Sequence, residues 1–278
     1  MKDQEIITYN TGETSEELKA KYNPEGSLMR NVQLRLLDML LYLDKVCKDN
    51  HIDYRIDGGT VLGALRHGGF IPWDDDVDVV IESSKDYKRL CRYLKKHPHP
   101  QYALQNDETD KGCIKYWSTL RDLKSEYVHS DPYERAVDCK MKYRGLQIDL
   151  FPYERGVIPS LYFRYAELGR KERYNIVHNF SKARALHLIR KHICNPVLHA
   201  ISRLLGNKNM YMHAYGEGFP YRFPKTVLLP HRPIMFEGYE FPGPADPLKF
   251  CEVIYGNYMD LPPVDKRDYH LVTYKLWD

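Results

Sequence analysis

Asp76 and Asp78 stand one residue apart in a run whose other members, Val77, Val79, Val80 and Ile81, are β-branched. Such residues fit a pleated strand, here spanning residues 76–82, and alternate positions share a face. The two carboxylates then project together, roughly 6–7 Å apart along the backbone, while Val77 and Val79 turn toward the core. Like charges held so close need an offset. The usual one is a hard divalent cation with oxygen ligands: Mg²⁺ first, with Mn²⁺ as the alternative. The spacing is not that of an EF-hand, because no glycine occupies the sixth loop position and no glutamate closes the loop. An acidic run at residues 74–78 also suits a solvated turn. Gly58, Gly59 and Thr60 lie upstream, between an alternating strand (Ile52, Tyr54, Ile56) and a short helical segment at 60–67. Two glycines there let the backbone approach a phosphate, whose charge a helix N-terminus favours. A plain turn is the other reading of the pair.

Asp149 falls between Ile148 and Leu150, in a stretch that otherwise reads as a buried strand. A carboxylate there costs several kcal/mol unless it is paired or coordinated. A metal would meet that need, and so would a buried arginine or a backbone amide. Arg121 ends a strand-like run at 114–121. It fits either a surface ion pair or a substrate phosphate, to which its planar fork is suited.

The segment Gly58-Gly59-Thr60, Gly63-Ala64-Leu65-Arg66-His67-Gly68-Gly69-Phe70-Ile71-Pro72-Trp73-Asp74-Asp75-Asp76-Val77-Asp78 resembles the signature of the LicD family. That family is related to fukutin and fukutin-related protein and sits within the wider nucleotidyltransferase-fold group. The resemblance is strongest over residues 50–82 and returns at 145–152 and in the tail. It implies an α+β, nucleotidyltransferase-like (DNA polymerase β-like) mixed sheet flanked by helices. It assigns Asp149 to the third acidic position beside Asp76 and Asp78, and an Arg-Asp after the corresponding strand favours a functional Arg121.

Other elements must position these groups. Residues 1–26 are polar and read as a partly ordered arm before a single domain at 27–278. Ser27 precedes an amphipathic helix to about residue 50, with Met29, Val32, Leu36, Leu40 and Leu43 along one face. Ser83 or Ser84 caps a helix to about residue 96. Strands are expected at 102–105, 114–121 and 126–129. In the second of these, Lys115, Trp117 and Thr119 share a face. A hairpin turns at Glu237-Gly238, and a last helix covers 247–255. The tail from Tyr255 through the Pro262-Pro263 pair to His270 resembles that of LicD-like proteins, with no role assigned to His270.

Composition is that of an ordinary globular protein, 43% apolar and 28% charged over 278 residues. The net charge of +3 is no argument for nucleic acid. It hides a local excess, however. Residues 155–209 hold eleven Lys or Arg against two Glu, a net of +9, which leaves about −6 elsewhere. Apolar residues recur there at roughly helical spacing, so a basic helical insertion is expected. It either packs on the core with a solvated basic face or docks on an anionic membrane or glycan. The six cysteines form no C-x₂-C pair, and neither a signal-peptide core nor a membrane-length apolar run is evident. A cytoplasmic protein is expected, with peripheral contact at the inner face of the membrane as the alternative.

Three functions fit. The resemblance favours a Mg²⁺-dependent phosphotransferase. It would move a phospho-alcohol, phosphocholine first, from a CDP-alcohol to a hydroxyl of a cell-surface glycan or glycolipid such as lipopolysaccharide or teichoic acid. Gly58, Gly59 and Thr60 would hold the donor phosphate and Arg66 would reach it from the next helical turn, unless it only makes a helix-surface ion pair. Trp73 and Trp117 would offer aromatic faces to choline. The second function is a nucleotidyltransferase acting on a small molecule or sugar. The third is a non-catalytic glycan or membrane-surface module, against which three convergent carboxylates argue.

Overall fold

A computed structural model describes residues 8–155, 175–213, 221–267 and 271–277. Hydroxyl caps open its first two helices. Thr14 and Glu17 form a capping box at α1 (Ser15–Tyr22), and the Ser27 side chain accepts from the Arg30 N–H at α2 (Leu28–Asp49). The arm is therefore more structured than its polarity suggested. Tyr9 and Leu18 are buried in the main core.

The chain then runs β1 (Arg55–Ile56), α3 (Gly58–His67), β2 (Val77–Ile81), α4 (Ser84–Lys96), β3 (Tyr102–Gln105), β4 (Ser118–Asp122), β5 (Ser125–His129), α5 (Pro132–Asp138) and β6 (Gln147–Arg155). The principal sheet has the order β1-β2-β6-β4-β3, with β2 and β6 parallel and the other neighbours antiparallel. This is the mixed, helix-flanked α+β sheet that was expected. Leu36, Leu40 and Leu43 of α2, Leu90 of α4, and Val79, Val80, Ile148 and Leu150 of the central strands are fully buried. Their apolar area removed from water is the main driving force for this layer arrangement.

After β6 come α6 (Phe180–Ile189), a π-helical turn (Arg190–Cys194) and α7 (Asn195–Leu205). The first part of the expected insertion, residues 156–174, lies outside the described residues. β7 (Met210–His213) pairs with the end of β6 and with β8 (Phe223–Pro224). α8 (Lys225–Leu228) precedes a hairpin of β9 (Arg232–Phe236) and β10 (Tyr239–Gly243). Glu237 and Gly238 both have positive φ, at 51° and 81°, as a type I′ turn requires. α9 (Pro247–Tyr255) and β11 (Leu271–Leu276), which pairs with β5, complete the chain. The strand expected at 114–121 starts only at Ser118, because β6 pairs residues 118–121 and β3 residues 119–122, and neither reaches 114–117.

Arm and tail close together around α3. The Tyr9 hydroxyl donates to the Arg66 carbonyl (2.7 Å), and Asn10 both donates to and accepts from the backbone of Leu261. Arg267 grips Glu13 at 2.6 Å and lies over the Trp73 ring, 5.1 Å from its centroid. At the centre is His67, buried between Arg66 and Ser15. Its Nε2 accepts from Arg66 Nε at 3.0 Å, so Nδ1 carries the proton toward Ser15 Oγ, 3.0 Å away. Burial first, then the Arg66 and Lys19 charges, pull the imidazole from its ordinary 6.5 down to about 3.

Folded His67 thus stays neutral where the unfolded chain would take up a proton. Its contribution to stability is complete above pH 6.5 and is lost as the pH falls toward 3. In urea melts between about pH 6 and pH 4, His67→Gln should flatten the acid-side fall in stability by up to about 1.4 kcal/mol per pH unit. Parallel curves for the two proteins would refute a neutral, buried His67.

Candidate active site

Parallel pairing of β2 with β6 puts Asp78 in register with Asp149, so the two carboxylates face each other across adjacent strands. The start of α3 lies against them. The Asp57 N–H donates to the Asp78 carbonyl (2.9 Å), and the Asp78 N–H donates to Thr60 Oγ1 (3.1 Å). Gly58 has a φ of +50°, and a Cβ there would fall 2.8 Å from Asp78 Oδ2. A Cβ on Gly59 would fall 3.1 Å from Asp74 Oδ2. Both glycines are needed so that carboxylates can press onto the first helical turn. The helix begins at Gly58 itself, two residues earlier than its sequence pattern implied. The amides of Gly58 and Gly59 are among those that a helix cannot satisfy internally.

Burial raises Asp78 well above the usual carboxylate range, and the charges of Asp76, Asp149 and Asp57 push the same way, while Lys115 opposes them. Asp74 is raised well above that range too, by burial and then by Asp76. Asp149 is better provided for. It accepts from Thr119 Oγ1 (2.9 Å) and Gln147 Nε2 (3.4 Å), and Lys115 Nζ lies 3.9 Å from its Oδ1.

Among the described residues, no three acidic, imidazole or thiol groups stand close enough to hold an ion unaided. The site still fits a hard cation. Beyond the burial that raises Asp78, three carboxylates (Asp76, Asp149 and Asp57) act on it against the one cation Lys115, and the absence of a Cβ at Gly58 and Gly59 lets Asp78 and Asp74 approach the helix start. Mg²⁺ binds through one or two carboxylates and completes its shell with water and substrate phosphate. Asp78 and Asp149, in register on adjacent strands, are two such carboxylates.

Four of the sequence-derived residues are engaged by other parts of the protein. Arg121 is fully buried, and its donors go to Gln105, Tyr127 and the Gly145 carbonyl, so it braces the sheet behind Asp149 and does not meet substrate. Arg66 is buried and donates to the carbonyls of Tyr258 and Asp260, tying the tail to α3. Trp73 is packed among Tyr22, His67 and Arg267 and offers no face to choline. Thr60 uses its hydroxyl to hold the Asp78 backbone. Trp117, the other cage candidate, already carries the Lys115 ammonium over its ring, 5.1 Å from the centroid. His270 lies outside the described residues.

Asp74, Lys115, Thr119 and Gln147 were not assigned from the sequence. For Lys115 and Thr119 the signal was present, since they alternate with Trp117. Lys115 also lines a cavity of about 600 Å³ bounded by α4, residues 106–108 and 115–118, and the helices at 191–203. Lys88, Lys191 and Arg203 line the same space, with Lys191 paired to Asp107 at 2.7 Å. Trp117 Nε1, also in that wall, is buried without a hydrogen-bond partner.

Residues 51–182 match the family described as LicD/FKTN/FKRP, nucleotidyltransferase domain. The chain is 25% identical over 269 residues to the lipopolysaccharide cholinephosphotransferase LicD of Haemophilus influenzae, covering 87% of this chain and 96% of that protein. An uncharacterized protein of Rickettsia prowazekii is 39% identical over 101 residues, 36% of either chain. The human ribitol 5-phosphate transferase FKRP is 48% identical over 40 residues, 14% of this chain and 8% of that protein.

The mutual repulsion of the carboxylate cluster works against stability. In chelator-treated protein, Asp76→Asn should raise the melting temperature by about 2 °C, as removing about 1 kcal/mol of repulsion would. Added Mg²⁺ should stabilise the wild type more than the variant. A lower melting temperature for the variant, with an undiminished Mg²⁺ shift, would show that Asp76 is no part of the cluster.

Proposed function

Residues 51–182 form a LicD-family domain, and on that premise we propose that the protein is a Mg²⁺-dependent phosphotransferase of nucleotidyltransferase fold. It moves a phospho-alcohol, phosphocholine first, from a CDP-alcohol to a hydroxyl of a cell-surface glycan or glycolipid such as lipopolysaccharide or a teichoic acid precursor. The observation that carries this reading is the parallel register of Asp78 and Asp149 over the Gly58–Gly59 helix start, with Lys115 joining Asp149 to the cationic cavity. The names of two relatives, a cholinephosphotransferase and a ribitol 5-phosphate transferase, support the kind of group transferred.

The charge arrangement sets how a donor could sit. A phosphate at the amides of Gly58 and Gly59 would meet Asp74 and Asp78 directly, and anions that close repel by several kcal/mol at the dielectric of such a site. A bound Mg²⁺, held by Asp76, Asp78 and Asp149, would neutralise that charge and the developing charge of the leaving phosphate. Lys115 supplies a further cation where the cavity meets Asp149. Asp149, oriented by Thr119 and Gln147, accepts the proton of the attacking hydroxyl. The acceptor oxygen bonds to the phosphorus bearing the alcohol, the bond from that phosphorus to CMP breaks, and CMP departs.

The test is CMP release from a panel of CDP-alcohols, with water as a slow surrogate acceptor. One donor should give Mg²⁺-dependent release that Asp78→Ala lowers by at least about a thousandfold and Lys115→Met by about ten- to a hundredfold. Appearance of the labelled nucleotide in the product would instead mean nucleotidyl transfer and would sink this reading.

A further inference from the structure

The helices after β6 are turned the opposite way from a helix that packs an apolar face on a core. α6, the π-helical turn and α7 follow one another without interruption from Phe180 to Leu205. At the π turn the Asn195 N–H reaches back to the Arg190 carbonyl, which carries the helix past Pro196. Of its six buried positions, four are polar (His187, Arg190, Asn195 and Ser202) and only Ala183 and Leu198 are apolar. Its exposed ones include Ile189, Ile193 (61% exposed), Val197, Leu204 (82%) and Leu205. Ile189, Ile193, Val197 and Leu204 recur at three- to four-residue multiples, which places them in one stripe along the helix. Lys182, His192, Arg203 and Lys208 are exposed around it. Residues 175–213 hold six Lys or Arg and not one Asp or Glu.

We infer that this helix docks the protein on an anionic lipid bilayer, lying in the interface with the Ile189–Leu204 stripe among the acyl chains and its basic residues at the headgroups. An exposed apolar stripe with cationic borders is the arrangement that partitions into such an interface. Pairing with a second copy through a two-fold axis suits the apolar stripe but not the charge. It would set a patch with no acidic residue against itself. Among the described residues no helix is long and apolar enough to cross a membrane, so the attachment is peripheral.

Docking also orients the cavity. Pro196, Ala200 and Arg203 line it and adjoin Val197 and Leu204 on the helix surface, so the cavity mouth would open at the headgroup level. An acceptor glycan carried on a lipid would then enter from the bilayer and meet Lys115 and Asp149. This last step rests on the phosphotransferase reading, whereas the docking itself rests on the helix alone.

The test is flotation of the full chain with vesicles of phosphatidylcholine, with and without phosphatidylglycerol, at low and high salt. Wild type should float only with the anionic vesicles and less so at high salt. The pair Ile193→Asp with Val197→Asp, and separately Lys182→Glu with Lys208→Glu, should each weaken binding at least about tenfold. Thermal melting and CMP release from a soluble donor should be unchanged in both. The charge pair keeps the test open if the apolar pair folds poorly. Wild type that ignores anionic vesicles, or binding that survives both substitution pairs, would overturn the docking. A wild-type dimer in sedimentation that Ile193→Asp dissociates would assign the stripe to a second copy instead. Absence of CMP release in the wild type would defeat the proposed reaction and leave the vesicle result to decide the docking independently.

Discussion

Parallel pairing of β2 with β6, held by apolar burial against the mutual repulsion of the aspartates it gathers, underlies how the molecule is built. Parallel neighbours cannot be joined by a tight turn, so the chain from Glu82 to Leu146 must cross over before β6 can lie beside β2. That long connection supplies α4, β3 and β4, and β4 then flanks β6 and hands Thr119 to Asp149. Hydrophobic burial of Val79, Val80, Ile148 and Leu150 fixes the register, and the register brings Asp78 beside Asp149. Once these strands are buried, the carboxylates have little freedom to separate. The energy of their proximity is therefore held in the fold, as is common for carboxylates gathered at functional sites.

Behind the acidic crevice lies a layer of buried guanidinium groups. Arg55 is fully buried between Asp57 and Glu82, with the rings of Tyr153 and Phe250 about its plane. Arg121 spends its donors on Gln105, Tyr127 and Gly145, and Tyr127 in turn reaches Gln147, the residue that donates to Asp149. Losing one partner in such a network leaves a buried charge uncompensated, so these arginines hold the site's frame in place. Lys115 differs because it lines the cavity while its ammonium stands 3.9 Å from Asp149.

The two ends of the chain complete the support. α3 carries the glycine turn at its start and His67 at its end, and both arm and tail bond to that far end. Tyr274 of β11 donates to Asp75, within the acidic run itself. Segments remote in sequence therefore limit how far the glycine turn and the carboxylates can shift relative to each other. The basic helices on the other side of the sheet's end complete the cavity wall and leave their apolar stripe outward.

Local pattern was enough to locate the second helix, α4, the short strand at 102–105, the Glu237-Gly238 turn and the last helix, because caps, periodicity and turn residues act over a few residues. It was also enough to mark Asp76, Asp78 and Asp149 as unusual, since a carboxylate in a β-branched strand conflicts with its surroundings. What local pattern could not decide was where long side chains end. Arg66, Arg121 and Trp73 sit inside or beside the motif, yet each is drawn inward by partners that fold in from elsewhere, such as the Tyr258 and Asp260 carbonyls, Tyr127, and Arg267. Lys115 and Asp74 joined the site for the same reason in reverse. The helix after β6 was legible as basic and amphipathic, but amphipathicity has no sign. Only the packing of His187, Asn195 and Ser202 against the protein showed that its apolar side faces out.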